Sequence, residues 1–351
     1  MNKTKPYPLY IQIIQDLKQD IFKGVLPAKA KIPTTAELCR QYGVCHRTIQ
    51  MATRALVKEG LLIRRPRLGT YVADIEVEKR AMSGGERRVA LLIRYKENLF
   101  DNDFYPREII DGVIAAAEEY NCRIDFNVYS DLDSLSISPL LFGFLLVESS
   151  REQALKIKRM GLPVFLLDTV FERSGLGYAR TDNIYGINQA VKHLVKMGHR
   201  KILYVYNDRI ETSFAVAERY KGFIRAAAKY GIASAGYTVK VGDLKNGVAT
   251  PFHTAMLVDA HSTTLSVLSI LRKHGIRIPG DISLVAYDDI SFSEYLSTPV
   301  TVVKQKLADI GRIGLEMLFS EDEKWRDARI LVKPELIIRE TTGYVNEREE
   351  M

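Results

Sequence analysis

Apolar side chains at Leu9, Ile13, Ile14, Leu17 and Ile21 recur every three or four residues, which predicts an amphipathic helix over about Leu9–Phe22. Gly24 and Pro27 close it. Thr34-Thr35-Ala36-Glu37 then reads as a capping box, with the Thr34 hydroxyl serving an orphan backbone N–H and Glu37 reaching back to the cap. A second helix is expected to run to about Tyr42. Gly43 supplies the permissive backbone of a tight turn, and a third helix covers about His46–Glu59 with Ile49, Ala52, Leu56 and Val57 inward. Gly60 stops it. Two short strands, Leu61–Arg65 and Thr70–Ala73, flank the tip Pro66-Arg67-Leu68-Gly69.

Asp74–Arg87 is polar, contains Ser83-Gly84-Gly85 and shows no apolar period, so it reads as a flexible linker. From Arg88 onward the pattern changes. Short Val/Ile/Leu strands (Val89–Ile93, Cys122–Val128, Phe144–Val147, Val164–Leu167, Ile202–Val205, Ala255–Val258, Ile282–Ala286) alternate with helices (Ile109–Tyr120, Ala154–Met160, Ile187–Met197, Ala217–Tyr230, Leu265–His274). That alternation predicts βαβ units, parallel sheets and, at this length, two α/β lobes facing a cleft. Ligands of such sheets sit at the carboxyl ends of the strands. The expected domains are 1–73, a linker 74–87, and 88–351.

Charge sharpens the division. Residues 1–73 hold thirteen Lys and Arg against four Asp and Glu, a net of +9, whereas the rest holds 37 against 39. A positive excess confined to one end points to a polyanion partner for that end. Three cysteines make no disulfide framework, and no apolar run suits a signal peptide or a membrane span, so the cytoplasm is expected. Cys39 and Cys45 beside His46 lack a second ligand pair at zinc spacing, and Cys39 falls on a core face, so no metal is expected. Neither a dinucleotide fingerprint, a P-loop nor a nucleophile–base set stands out. The chain is therefore expected to have no cofactor and to be no enzyme.

Helix, turn, helix and basic hairpin, in that order, make a winged reader of double-stranded DNA. His46, Arg47, Thr48 and Gln50 begin the third helix, whose N-terminal residues meet base edges in the major groove. Gln50 suits adenine and Arg47 suits guanine. Thr34 and Thr35, together with Arg54, Arg64, Arg65 and Arg67, are candidate DNA contacts, the arginines on phosphates.

Pro8-Leu9-Tyr10-Ile11-Gln12-Ile13, Ile32-Pro33-Thr34 to Leu38, Tyr42-Gly43-Val44, Ala55-Leu56, Glu59-Gly60-Leu61 and Gly69-Thr70-Tyr71-Val72 together resemble the GntR family of winged helix-turn-helix regulators. Departures fall at the DNA-reading positions. Ala36, His46 and Gln50 stand where arginine is usual, Cys45 where Ser or Thr is, and Arg67 where glycine is common. Thr181-Asp182-Asn183 through Arg219-Tyr220-Lys221-Gly222-Phe223, and Gly275 through Tyr287-Asp288-Asp289, are similar to the effector domain of LacI-type regulators. The expected fold is thus an α+β winged helix-turn-helix domain plus an α/β two-lobed periplasmic-binding-protein-like domain with parallel sheets.

The resemblance implies a regulator, a repressor by its family, that binds operator DNA as a homodimer and answers to a small-molecule effector, a sugar or sugar derivative. It assigns Arg219 and Asp288 to the effector, a planar fork of donors opposite a charged acceptor; the two pairing only with each other is the alternative. Tyr95 and Phe104 after the first strand are candidate stacking surfaces, and Glu148 at a strand end a candidate acceptor. Asp259-Ala260-His261 departs from the family's Asn-Asp, placing an imidazole at His261 where a carboxylate is usual. His261 is then either an effector contact or a helix cap. A large domain that has lost its ligand and serves dimerisation is the second reading.

Overall fold

A computed structural model describes residues 9–22, 24–58, 60–65, 68–73, 87–94, 104–132, 141–207, 213–232, 238–246, 253–289, 297–320 and 323–345. Arg67, Tyr95 and all of the linker before Arg87 lie outside the described residues.

The N-terminal head consists of α1 (Leu9–Phe22), α2 (Thr35–Tyr42), α3 (His46–Lys58), β1 (Leu62–Arg65) and β2 (Gly69–Val72). Its core joins one stripe of each helix to the hairpin: Ile13, Leu17 and Ile21 from α1, Leu38 from α2, Ile49, Ala52 and Leu56 from α3, and Leu61, Leu62 and Val72. The capping box forms as the spacing predicts, with Glu37 N–H donating to Thr34 Oγ1 and Thr34 N–H to Glu37 Oε2. Gly43 ends α2 in the left-handed region at φ 64°, where a side chain would be strained. β1 and β2 pair antiparallel from Leu62↔Val72 to Arg65↔Gly69. A third segment, around Lys31, bridges to Tyr71 and was not apparent in the sequence. Val57 departs from expectation: it is 36% exposed, because one residue beyond Leu56 rotates it out of the buried stripe.

The chain folds into two compact units, Met1–Leu167 with Phe171–Gly177 and Arg312–Ala328, and Asp168–Val170 with Tyr178–Gly311 and Arg329–Met351. Beyond the head, the first unit holds β3 (Arg87–Ile93), α4 (Phe104–Glu119), β4 (Cys122–Val128), β5 (Leu141–Val147), α5 (Arg151–Lys158) and β6 (Val164–Leu167). β4, β3, β5 and β6 are parallel neighbours in that order. β3, β5 and β6 are almost continuously buried, as a sheet covered on both faces requires.

The second unit begins with β7 (Gly177–Thr181), α6 (Asn183–Lys196), β8 (Ile202–Tyr206), α7 (Phe214–Lys229), β9 (Thr238–Lys240) and β10 (Ala255–Val258). It continues through α8 (His261–Lys273), β11 (Ser283–Tyr287), β12 (Thr301–Lys304) and the start of α9 (Leu307–Phe319), then β13 (Arg329–Val332) and β14 (Glu335–Ile337). Its six-stranded sheet runs β14-β12-β11-β10-β8-β9, parallel except for β14. One face packs on Ile187, Val191, Phe223 and Ala227 of α6 and α7. The other packs on Val267, Ile270 and Leu271 of α8. At Gly186 a Cβ would meet the Tyr287 hydroxyl at 2.8 Å and Val303 at 2.9 Å, so α6 can lie this close to the sheet only without a side chain there. Between Gly231 and Thr254 the described residues form β9 and a short 3-10 turn, Asp243–Asn246.

His199 ties two loops of this unit, with Nδ1 2.9 Å from Thr254 Oγ1 and Nε2 2.9 Å from the Gly343 carbonyl. Burial lowers its pKa, and that of His193 moves the same way for the same reason. The unfolded chain takes up these protons near pH 6.5, while the folded chain resists them to lower pH. Stability from these histidines is therefore complete above about pH 6.5 and lost as pH falls below it. The thermal midpoint is expected to drop between about pH 7 and about pH 5.5, and His199→Gln to flatten that slope. An unchanged slope in the variant refutes the assignment.

Candidate DNA-reading face and ligand-binding cluster

In the head, His46 and Arg47 open α3 exposed, and so are Arg54, Arg64 and Arg65 beyond them. A groove of about 550 Å³ separates the N-terminus of α2 from α3 and the hairpin, lined by Thr34, Thr35, Gln50, Arg54, Arg64 and Arg65 among others. The positive end of α2, two threonine hydroxyls and three guanidinium groups thus share one crease, a setting that favours phosphate. Arg65 also lies over the Tyr71 ring at 5.0 Å. The Thr48 hydroxyl stands 3.3 Å from Cys45 Sγ, and hydrogen bonds from Thr48 pull the Cys45 thiol below its ordinary pKa. Thr48 therefore helps set the start of α3.

In the second unit, each of four parallel strands ends on a polar residue. Asn207 follows β8, Asp259 follows β10, Asp288 follows β11 and Gln305 follows β12. Arg219, from α7, reaches into this row only 4% exposed. Its Nε donates to Asn183 Oδ1 at 3.0 Å, and its Nη1 donates to the Asp259 carbonyl at 2.7 Å and to Asp288 Oδ2 at 3.4 Å. The guanidinium lies 3.9 Å above the Tyr287 ring. Gln305 Nε2 donates to Asp288 Oδ1 at 2.6 Å, and the Thr181 hydroxyl donates to Gln305 Oε1. Burial opposes a charge on Asp288, but Arg219, His261 and Gln305 outweigh it and hold the carboxyl below its usual pKa. At Asp259 the balance reverses: burial outweighs the hydrogen bonds from Thr263 and Asn207 and raises the carboxyl. His261 Nδ1 lies 3.7 Å from Asp288 Oδ2 with the imidazole about one-third exposed.

Three carboxylate residues, Glu148, Asp168 and Asp288, adopt positive φ one step past β5, β6 and β11. Left-handed backbone at a non-glycine residue is uncommon and concentrates at ligand clamps. Beside the row, Arg180 pairs with Glu218, and its guanidinium lies 5.1 Å over the Phe214 ring.

Residues 9–72 match the bacterial regulatory proteins of the gntR family. Residues 191–342 match the periplasmic binding protein-like domain. The arabinose metabolism transcriptional repressor of Halalkalibacterium halodurans is 25% identical over 371 residues, covering 95% of this chain and 96% of that one. The HTH-type transcriptional repressor PurR of Vibrio vulnificus is 30% identical over 286 residues, 74% of this chain and 82% of the repressor. The chain belongs to the bacterial transcriptional regulators that join a gntR-family head to a periplasmic binding protein-like body. A solved LacI family transcriptional regulator from Enterococcus faecium, with bound ribose, shares the body's fold at TM-score 0.61 and 19% identity, over 74% of this chain and 100% of that one.

This gntR-headed chain is accordingly a DNA-binding regulator. Of the body residues singled out by sequence, Arg219, His261 and Asp288 converge. Glu148 stands at the end of β5, half-buried. Phe104 is the first residue of α4, and its side chain lies outside the described set. His261 is the first residue inside α8, whose N-cap is Ala260 with no side-chain cap, so the capping role does not hold. Arg219 and Asp288 do approach one another, but not exclusively: Arg219 also donates to Asn183 and Asp259, and Asp288 also accepts from Gln305. Sequence reading missed Asn183, Asn207, Asp259 and Gln305. For Asn207, Asp259 and Gln305 the available signal was a polar residue directly after an apolar strand run; Asn183, at the start of α6, had none.

Proposed function

We propose that this regulator is a homodimeric repressor with a DNA head at 1–73, a linker at 74–87 and a body at 88–351, and that a sugar-class molecule bound at the strand-end row controls its hold on operator DNA. The observation that carries the reading is the buried set Arg219, Asn183, Asp288 and Gln305, a fixed array of donors and acceptors at the carboxyl ends of parallel strands. Such an array suits hydroxyl groups, each both donor and acceptor. The names of the relatives agree: one acts in arabinose metabolism, and a regulator of the same fold holds ribose.

A ligand shifts operator affinity only by its preference for one of two states. Calorimetry of the full chain against pentoses, hexoses and sugar acids, with operator titrations in parallel, tests this. One sugar is expected to saturate and to change operator affinity at least about ten-fold, a coupling of about 1.4 kcal/mol. Asp288→Asn is expected to abolish that response while leaving operator binding without sugar intact. The second reading, a body that binds no ligand, is favoured by the prior commitment of Arg219 to Asn183, Asp259 and Asp288. Absence of any saturable sugar selects it.

A further inference from the structure

α3 buries Ile49, Ala52 and Leu56 completely. Its outward face carries Arg47, Gln50, Met51 and Arg54. Three of these suit bases or phosphates. Met51 does not: it is apolar, 46% exposed, and one helical turn beyond Arg47 on the same side. Among the described residues, no other large apolar side chain is exposed in the first two turns of α3. A long apolar side chain set between two arginines on a surface that enters the major groove has one base-edge complement there, the thymine 5-methyl group. Methionine's three rotatable bonds let it follow that methyl along the groove floor.

We propose that Met51 is a specificity residue, reading a thymine methyl next to the base contacted by Arg47. Each half-site then contains a thymine at a fixed step from the Arg47 contact. The inference concerns the head alone and does not depend on what the body binds.

The test uses the full chain, without added sugar, and a duplex selected by it from a randomised pool. Each thymine is replaced in turn by uracil, which removes only the methyl, and affinity is measured by fluorescence anisotropy at fixed salt. One thymine per half-site is expected to lose about four-fold on methyl removal, the effect of one buried methyl. Met51→Ala is expected to lose a similar factor on the thymine duplex and to bind thymine and uracil duplexes equally. Met51→Leu keeps the discrimination, and Arg54→Ala weakens both duplexes alike. The proposal is overturned if Met51→Ala retains the wild-type thymine-to-uracil ratio, or if no thymine proves methyl-sensitive. Far-UV circular dichroism and the thermal midpoint of each variant confirm that the head is folded.

Discussion

Arg219→Ala is expected to lower stability by about 3–5 kcal/mol, the cost of leaving a buried charge without its partner. For a unit of this size that is a fall in thermal midpoint on the order of 10 °C. Removing the guanidinium also strips acceptors of their donor at Asn183 and Asp259. The pH dependence identifies the cause. In the native chain Arg219 keeps the Asp288 carboxyl below its usual pKa, so its stabilising contribution is present above the ordinary carboxylate range and lost as pH falls through the folded value. Without Arg219, burial governs and the folded carboxyl rises above its unfolded value. Stability then falls as pH rises through that window, so the deficit of the variant is smaller at acid pH than at neutral pH. Adding Asp288→Asn recovers part of the loss, because the two residues are coupled. A deficit below about 1 kcal/mol, or one independent of pH, contradicts a buried-charge origin.

The second large effect is expected at the DNA. Arg54→Ala combined with Arg64→Ala should weaken operator binding between about 10- and 100-fold near 0.1 M salt, two charge-assisted contacts at about 1 kcal/mol or more each. Both guanidinium groups line the crease at the N-terminus of α2. If they meet phosphates, the slope of log K against log salt becomes shallower by about 1.8, and a scrambled duplex loses as much as the operator. Arg47→Ala should instead cost mainly the operator. An unchanged salt slope in the double variant removes Arg54 and Arg64 from the phosphate set.

The parts of the molecule legible in the sequence are those built from neighbours along the chain. α1 follows from the spacing of Ile13, Leu17 and Ile21. The start of α2 follows from Thr34 and Glu37, and its end from Gly43, all within one turn of what they contact. Cys122–Val128 is placed to the residue by its alternation of apolar and polar side chains, and Ala255–Val258 by an unbroken apolar run. Val57 escaped because spacing defines a stripe, not its edge, and one step past Leu56 turns it out of the core to line the hairpin groove. The candidate cluster was only half visible, since a family resemblance supplied Arg219 and Asp288 one at a time. Nothing local announces that Thr181 and Gln305, 124 positions apart, meet through their side chains, or that Asn183 receives Arg219. Those contacts are produced by how elements far apart in the chain pack, Asn183 on α6 against Arg219 on α7 and the end of β7 against the end of β12, and no single element records that packing.

The interleaving of the two units bears on how such a protein can be assembled by recombination. The head is one unbroken stretch of chain, matched over residues 9–72, so it can be transplanted onto a different body as one segment. The remainder offers no equivalent cut. Trp325, whose carbonyl lies against Gly177 in the first unit, is encoded after most of the second, and β13 pairs with β7 across that whole interval. Exchanging one lobe would require several simultaneous junctions. Lineages of this kind should therefore shuffle their heads and inherit their paired lobes as one block.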